Sequence, residues 1–389
     1  MKNREINHVL EKMPRSGIRR IMDKAIEIDP SQQEIIHLEV GQPHEPTSKI
    51  ICEAASKAAL SGFTKYTQNA GFIDLRKAIK NKFEANKIHI TEDNIFITPG
   101  ATYAVSIAIG TLINHGDEVL VPDPGYPNFA AAVRHYGGIV KYYTLLEDNN
   151  FQIDFDNLKS LITNKTKLVI INSPSNPTGA VLSNEQIKKL VDFTLKNNLW
   201  LLSDEVYEAY VYSGSHVSPL SFPNTEHVVA VFSFSKSYNM TGLRVGYIVS
   251  KNKAVCDSLL KAQELYISSA PSISQMAALD ALKYCDKEVE ALKNKFQKKL
   301  KLALDLLGGD IGYIPQGAFY ILIDISKTGL SSNDFADFLL KTEKVAVAPG
   351  ITFGPTSDKY IRIALTAEMG PLEEGIKRIK RSLDKYKGV

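Results

Sequence analysis

From about Ser48 onward, apolar positions recur in two alternating rhythms. Residues 50–60 and 74–85 space them three and four apart, and in the second stretch Leu75, Ala78, Ile79 and Phe83 share one face. That spacing predicts amphipathic helices, and residues 101–113 read as a third, largely apolar helix. Short continuous apolar runs separate the helices, at residues 95–97, 119–121, 168–171, 200–202 and 228–232. Continuous rather than alternating apolar character predicts strands buried on both faces. Ser183-Asn184-Glu185-Gln186 reads as a capping box opening another helix. Together these elements predict an α/β fold with a mainly parallel, doubly covered sheet.

The rhythm changes near Asp286. A long charged helix is followed by a strand at 319–325, a helix at 333–341, short strands at 345–348 and 361–364, and a last helix at 372–386. This predicts a smaller α+β domain. No repeat, low-complexity tract or Gly/Ser-rich linker marks the boundary. The expected division is 1–47, an arm with the first part of the small domain; 48–285, the large domain; and 286–389, the rest of the small domain.

Composition narrows the functional classes. The 389 residues are 44% hydrophobic and 23% charged with a net charge of +3, as expected of a soluble globular protein. No long basic run supports nucleic acid or a membrane surface as the main partner. The first residues are too polar for a signal peptide, and no apolar run approaches the ~18 residues that span a bilayer. Cys52, Cys256 and Cys285 form no C-x-x-C, so a reducing cytoplasm is the simplest setting. The eight histidines include no H-E-x-x-H or H-x-H, and no metal site is expected.

The chemistry concentrates between His227 and Val249. The apolar run 228–232 ends in Ser233, Ser235 and Lys236; the turn Asn239-Met240-Thr241-Gly242 leads to Arg244 and a second apolar run at 245–249. A lysine just past a buried strand loses hydration, which lowers its pKa and frees its amine as a nucleophile. Two hydroxyls and a guanidinium suit a dianionic phosphate. An amine beside a phosphate clamp suggests a phosphorylated aldehyde cofactor, pyridoxal 5'-phosphate. A solvated surface lysine is the ordinary alternative for S-x-S-K alone.

Ser233-Phe234-Ser235-Lys236 followed by Arg244 resembles the cofactor-lysine signature of the class I/II aminotransferases, fold type I pyridoxal-phosphate enzymes of the aspartate/aromatic aminotransferase kind. The resemblance runs from about Ser16 to the C-terminus. Its motifs keep the family's order: S-G-I-R at Ser16, G-Q-P at Gly41, K-Y-T around Tyr66, T-P-G-A-T at Thr98, P-G-Y-P at Pro124, N-S-P-S-N-P-T-G at Asn172, S-D-E-V-Y at Ser203 and Y-I-R-I-A at Tyr360. Each is weak alone, and the ordered set is specific.

The resemblance implies a mainly parallel seven-stranded sheet and a smaller α+β domain. It also implies a homodimer with shared active sites, whose N-terminal arm lies on the partner subunit. Gly100, Ala101 and Thr102 would form one wall of a phosphate cup; Ser233, Ser235 and Arg244 would form the other. Tyr126 would stack on the pyridine ring. Asn176 and Tyr207 would bond its phenolic oxygen, and Asp204 its nitrogen, with Glu205 the rival acid. Asn172 reads as structural. Arg362 would fork the substrate α-carboxylate, unless it makes a structural salt bridge. Gly41 would offer that carboxylate an N–H, and Asn176 would border the substrate too. Tyr66 would reach the neighbouring subunit's phosphate. Lys236, Asp204 and Tyr207 would be the catalytic set. The implied function moves an amino group from an L-amino acid to a 2-oxo acid via a Schiff base on the cofactor. Some aspartate-using relatives carry lysine where Thr102 stands, so a neutral or aromatic donor is slightly favoured over aspartate. A β-eliminating carbon–sulfur lyase is the alternative on the same fold. The ligand-sensing domain of a regulator is a remote one, since only about 16 residues precede S-G-I-R.

Overall fold

The continuous apolar runs become strands of one sheet. The computed structural model describes residues 6–31 and 33–385. Residues 1–5 of the expected arm and Tyr386, the expected end of the last helix, lie outside the described residues. The strands are β1 (Ile36–His37), β2 (Ile95–Thr98), β3 (Glu118–Asp123), β4 (Ile139–Thr144), β5 (Thr166–Asn172), β6 (Trp200–Asp204), β7 (Val228–Ser233), β8 (Gly246–Ser250), β9 (Tyr320–Asp324), β10 (Val345–Ala346), β11 (Ala348–Pro349) and β12 (Tyr360–Ala364). Seven of them form a sheet in the order β2-β8-β7-β6-β5-β3-β4. Only β8 runs against its neighbours, pairing antiparallel with β2 and β7.

Alternate residues of the central strands enter two different cores. In β5, Val169 and Ile171 face one cluster with Leu75, Ile79 and Ala277, while Leu168 and Ile170 face another with Ala104, Val105 and Phe129. In β7, Val228, Ala230 and Phe232 divide from Val229 and Val231 in the same way. Period-two alternation between two dry faces is why these strands read as unbroken apolar runs. A third core joins Ile21, Leu38, Phe296, Ile321, Ile361 and Ile376 around the three-stranded sheet β11-β12-β9.

Several elements depart from expectation. β4 was not predicted; it is an edge strand with mostly half-exposed residues, so its apolar signal is diluted. Helices Gly17–Ile28, Pro127–His135, Lys253–Tyr266 and Ser272–Tyr284 were not predicted either. In the last of these, Ser274 and Gln275 are buried alongside alanines, which blurs the amphipathic stripe. The stretch 345–348 is two short strands in different sheets, β10 with β1 and β11 with β12. The capping box is half a box. Ser183 accepts from the Gln186 N–H at 3.2 Å, but the Gln186 side chain turns to Ile153, accepting its N–H at 3.1 Å. The helix at 333–341 runs as Ser332–Phe338 and then widens into a π turn over Leu339–Glu343.

Because β2, β3, β5, β6 and β7 point the same way, their last residues, Thr98, Asp123, Asn172, Asp204 and Ser233, gather along one edge. Asn172 lies opposite Asp204 in register. Ligands of open α/β sheets bind beyond this carboxyl edge.

Candidate active site

A cleft of about 700 Å³ opens there. Its lining includes Gly41, Ala101, Thr102, Tyr126, Asn176, Asp204, Tyr207, Ser233, Ser235, Lys236, Arg244 and Arg362. Residues far apart in the chain are brought together because most follow or end a strand of this edge, while Gly41 comes from the segment after β1 and Arg362 from β12.

Lys236 sits on a single helical turn, Phe234–Ser237, directly after β7. Its Nζ donates to the Gly41 carbonyl at 2.8 Å. Burial, then the charges of Arg362 and Arg244, bring its pKa down to about 8. The Ser233 hydroxyl accepts the Ser235 N–H at 3.0 Å, which leaves its own proton to donate.

The turn into helix Ala101–Leu112 is shaped by two glycines. Gly100 has φ 88°, and a Cβ there would come within 2.6 Å of the Arg244 guanidinium. Gly246 opens β8 between Thr98 and Ser233; a Cβ would come within 2.7 Å of the Phe232 carbonyl and 3.0 Å of the Ala101 nitrogen. Only glycine lets the turn approach the strand this closely. Gly100 does not border the cleft; Ala101, Thr102 and Arg244 do. The first N–H groups of a helix have no intrahelical acceptor and attract an anion. Arg244 donates to the Thr241 carbonyl at 3.0 Å. Turn, guanidinium and serine hydroxyls together fit a phosphate.

Two adjacent acids have separate fates. Glu205 is fully buried and paired, with His216 at 2.7 Å and Ser218 at 3.0 Å. Asp204 is also buried, yet it only accepts the Val206 N–H at 3.2 Å and has no ion-pair partner among the described residues. Burial pushes its pKa up to about 7. A buried carboxyl without a counter-ion calls for a donor from the cleft, as a protonated ring nitrogen would be. Glu205 is structural by the same reasoning. Glu205→Gln should cost about 1–3 kcal/mol of stability, read as a lower melting temperature, and leave the affinity for pyridoxal phosphate unchanged.

Tyr207 and Tyr320 bond hydroxyl to hydroxyl at 2.8 Å. Arg362 is 1% exposed, with its guanidinium 4.5 Å from the Tyr320 ring centre and 5.2 Å from that of Phe353. It donates to Asn176 Oδ1 at 3.3 Å and to the Glu39 carbonyl, while its Nε has no partner. No ion pair involves Arg362 among the described residues. A structural salt bridge is therefore not its role, and a buried cation without an anion suits an incoming carboxylate.

The remaining predicted residues divide. Tyr126 borders the cleft, its hydroxyl accepting from Asn128 Nδ2 at 2.9 Å. Asn172 also borders it, but its side chain is spent internally, on the Asp204 carbonyl at 3.0 Å and the Asn176 N–H at 2.7 Å. The Asn176 amide nitrogen has no partner among the described residues. Gly41 engages through its carbonyl, whereas an N–H had been expected to act. Tyr66 lies outside this cleft, 87% exposed. Tyr320 and Asn128 were not predicted. Tyr320 follows Ala318-Phe319 in an apolar strand and reads as core; Asn128, two residues after Tyr126, carried a signal only through its neighbour.

Among the described residues no helix is long and apolar enough to cross a membrane. The family model described as aminotransferase class I and II matches residues 33–379. The aspartate aminotransferase of Pyrococcus horikoshii is 34% identical, over 95% of each chain. Aromatic-amino-acid aminotransferase 2 of Thermococcus litoralis is 34% identical, over 98% of each chain. The solved structure of Thermus thermophilus aspartate aminotransferase with maleate superposes with a TM-score of 0.92 at 29% identity, covering 97% of this chain and 100% of that one.

Proposed function

This chain belongs to the class I and II aminotransferases, and from that premise we propose that the cleft at the carboxyl edge of the sheet is where its transamination takes place. The chain is a transaminase of amino acids and 2-oxo acids and uses pyridoxal phosphate. What carries the assignment is a set of unanswered charges in one cleft: a buried arginine without an anion, a buried acid without a cation, and a lysine with its pKa near 8.

Pyridoxal phosphate, when bound, supplies an aldehyde that takes up the amino group and a ring that accepts the electron pair released at Cα. Lys236 holds the cofactor between turnovers. Its neutral amine, once free, would take the proton from substrate Cα as base and give it back as acid. Ser233, Ser235, Arg244 and the N–H groups of the Gly100 turn hold the phosphate. Tyr126 covers the ring face. Asp204 accepts from the ring nitrogen and keeps it protonated. Tyr207 and the free amide nitrogen of Asn176 donate to the phenolic oxygen. Arg362 grips the α-carboxylate, with its own angle set by the Asn176 Oδ1 and the Glu39 carbonyl.

Thr102 supplies no charge for a second carboxylate, which supports a neutral or aromatic donor over aspartate. No observation favours a β-eliminating lyase, and the relatives above are all transaminases by name. The free, unpaired state of all three cysteines supports a cytoplasmic setting. A homodimer accounts for Tyr66: an aromatic side chain left exposed beside its own domain would serve the neighbouring cleft.

Arg362→Lys tests the carboxylate role, because lysine keeps the charge and loses the fork. Lost charge-assisted bonds of roughly 1.5–3 kcal/mol should lower kcat/KM about ten- to a hundredfold, for amino acids and 2-oxo acids alike. The cofactor spectrum should persist. A lower melting temperature with normal half-reaction rates would remove Arg362 from the site.

A further inference from the structure

Tyr320 sits in an apolar run that marks it as core, yet it touches three of the proposed site residues. Its hydroxyl bonds that of Tyr207 at 2.8 Å. Its ring carries the Arg362 guanidinium at 4.5 Å. A Cβ at Gly41 would overlap its hydroxyl, so the bare Gly41 backbone packs directly against that oxygen. The residue is 2% exposed and stands at the first position of β9, across from Ala364 on β12.

Together with the role proposed above for Tyr207, these contacts set where the protons go. Burial raises the pKa of both phenols above the ordinary tyrosine value, so both keep their protons near neutrality. Two phenols in one hydrogen bond share one proton between them, and the second points elsewhere. The Tyr320 hydroxyl has no other partner among the described residues, and the Gly41 backbone lies against it. Both phenols border the cleft, and Tyr207 is the one read above as donating to the cofactor's phenolic oxygen. With the Tyr207 proton committed there, the proton in the shared bond comes from Tyr320, whose O–H donates to the Tyr207 oxygen.

We propose that Tyr320 is a positioning residue that aims the Tyr207 proton at the cofactor's phenolic oxygen and, through its ring, seats Arg362 for the substrate carboxylate. One side chain thereby couples the cofactor half of the site to the substrate half. The inference rests on the reading of Tyr207 and Arg362 given above.

The test uses cofactor-loaded Tyr207→Phe, Tyr320→Phe, the double variant and Tyr320→Leu. It reads the pH midpoint of the visible absorbance, kcat and KM, and the melting temperature. A donor on an anionic oxygen eases loss of the neighbouring proton. Tyr207→Phe should therefore move the absorbance midpoint upward. Tyr320→Phe should move it the same way by a smaller amount and lower kcat about three- to tenfold, with KM changed less than about twofold because the ring remains. In the Tyr207→Phe background, Tyr320→Phe should add no further shift, since it acts through Tyr207. Tyr320→Leu should in addition raise KM for amino acids about three- to tenfold by removing the ring beneath Arg362. An unmoved midpoint in Tyr207→Phe would overturn the cofactor-site reading and this inference with it. A shift in Tyr207→Phe alone, or a full additional shift in the double variant, would overturn the positioning role while leaving the site reading intact. A lower melting temperature with an unmoved midpoint would make Tyr320 structural, and an unchanged KM in Tyr320→Leu would detach it from Arg362.

Discussion

Replacing Lys236 with alanine should abolish turnover, lowering kcat by about four orders of magnitude, because in the proposed site one amine both anchors the cofactor and carries the Cα proton. Purified wild-type protein should be yellow, and borohydride should leave the cofactor covalently on Lys236. Reduced cofactor mapped to any other lysine would collapse the site assignment. Surrounding groups set the pH behaviour of this amine. Burial and the two nearby guanidinium groups bring Lys236 to a pKa of about 8, and only the neutral amine attacks an aldehyde. Uptake of pyridoxal phosphate by the apoprotein should therefore accelerate as pH rises through about 8 and then level off. An uptake rate flat between pH 6 and 9 would show that the amine is not the limiting group. Lys236→Ala should still bind the cofactor reversibly, since Arg244, the serine hydroxyls and the turn before Ala101 would hold the phosphate independently.

How much of this was legible beforehand follows from where each signal is stored. β5, β6 and β7 are buried on both faces, so their apolar runs could hardly be misread. β4 lies at the sheet edge with mostly half-exposed residues and left too little contrast. The antiparallel direction of β8 is a property of the chain's return path after the Lys236 turn, which the apolar run at 245–249 does not encode.

The site divides in the same manner. Lys236, Asp204 and Arg362 are charged residues beside or within apolar strands, so each stands out locally, and an ordered set of motifs ties them together. The Tyr207–Tyr320 contact joins positions 113 apart in sequence, and neither residue looks out of place where it stands. Lys236 donates to the carbonyl of Gly41, and Arg362 to that of Glu39 as well as to Asn176 Oδ1. Backbone atoms carry no side-chain signature, so this part of the site appears only once the segment from Ile36 to His44 is seen threading between β10 and β12. That threading is itself a backbone matter: Leu38 donates to the Ala346 carbonyl and accepts from the Ala364 N–H.

Asp204→Asn should slow transamination by roughly two to three orders of magnitude, the scale seen when a preorganised electrostatic partner is removed from an active site. Asparagine keeps the shape and can still accept a hydrogen bond, but it cannot hold a proton on the ring nitrogen, and Cα deprotonation should lose its electron sink. Cofactor affinity should fall less than in Arg244→Ala, because the phosphate grip is untouched. Stability of the apoprotein should move in the opposite direction. Burial has raised the Asp204 pKa from 3.8 to about 7, so the folded state holds a proton that the unfolded chain gives up. Wild-type apoprotein therefore loses stability as pH rises from about 4 through 7, where the buried carboxyl is forced to ionise without a partner. The neutral asparagine has no such penalty. Asp204→Asn apoprotein should melt higher than wild type, and the gap should be wider at pH 8 than at pH 5. Pyridoxal phosphate should narrow the gap, since a protonated ring nitrogen gives the wild-type carboxylate the counter-charge it lacks. A variant with near-normal half-reaction rates, or one whose apoprotein is destabilised at both pH values, would show that Asp204 is held for the fold and not for the ring.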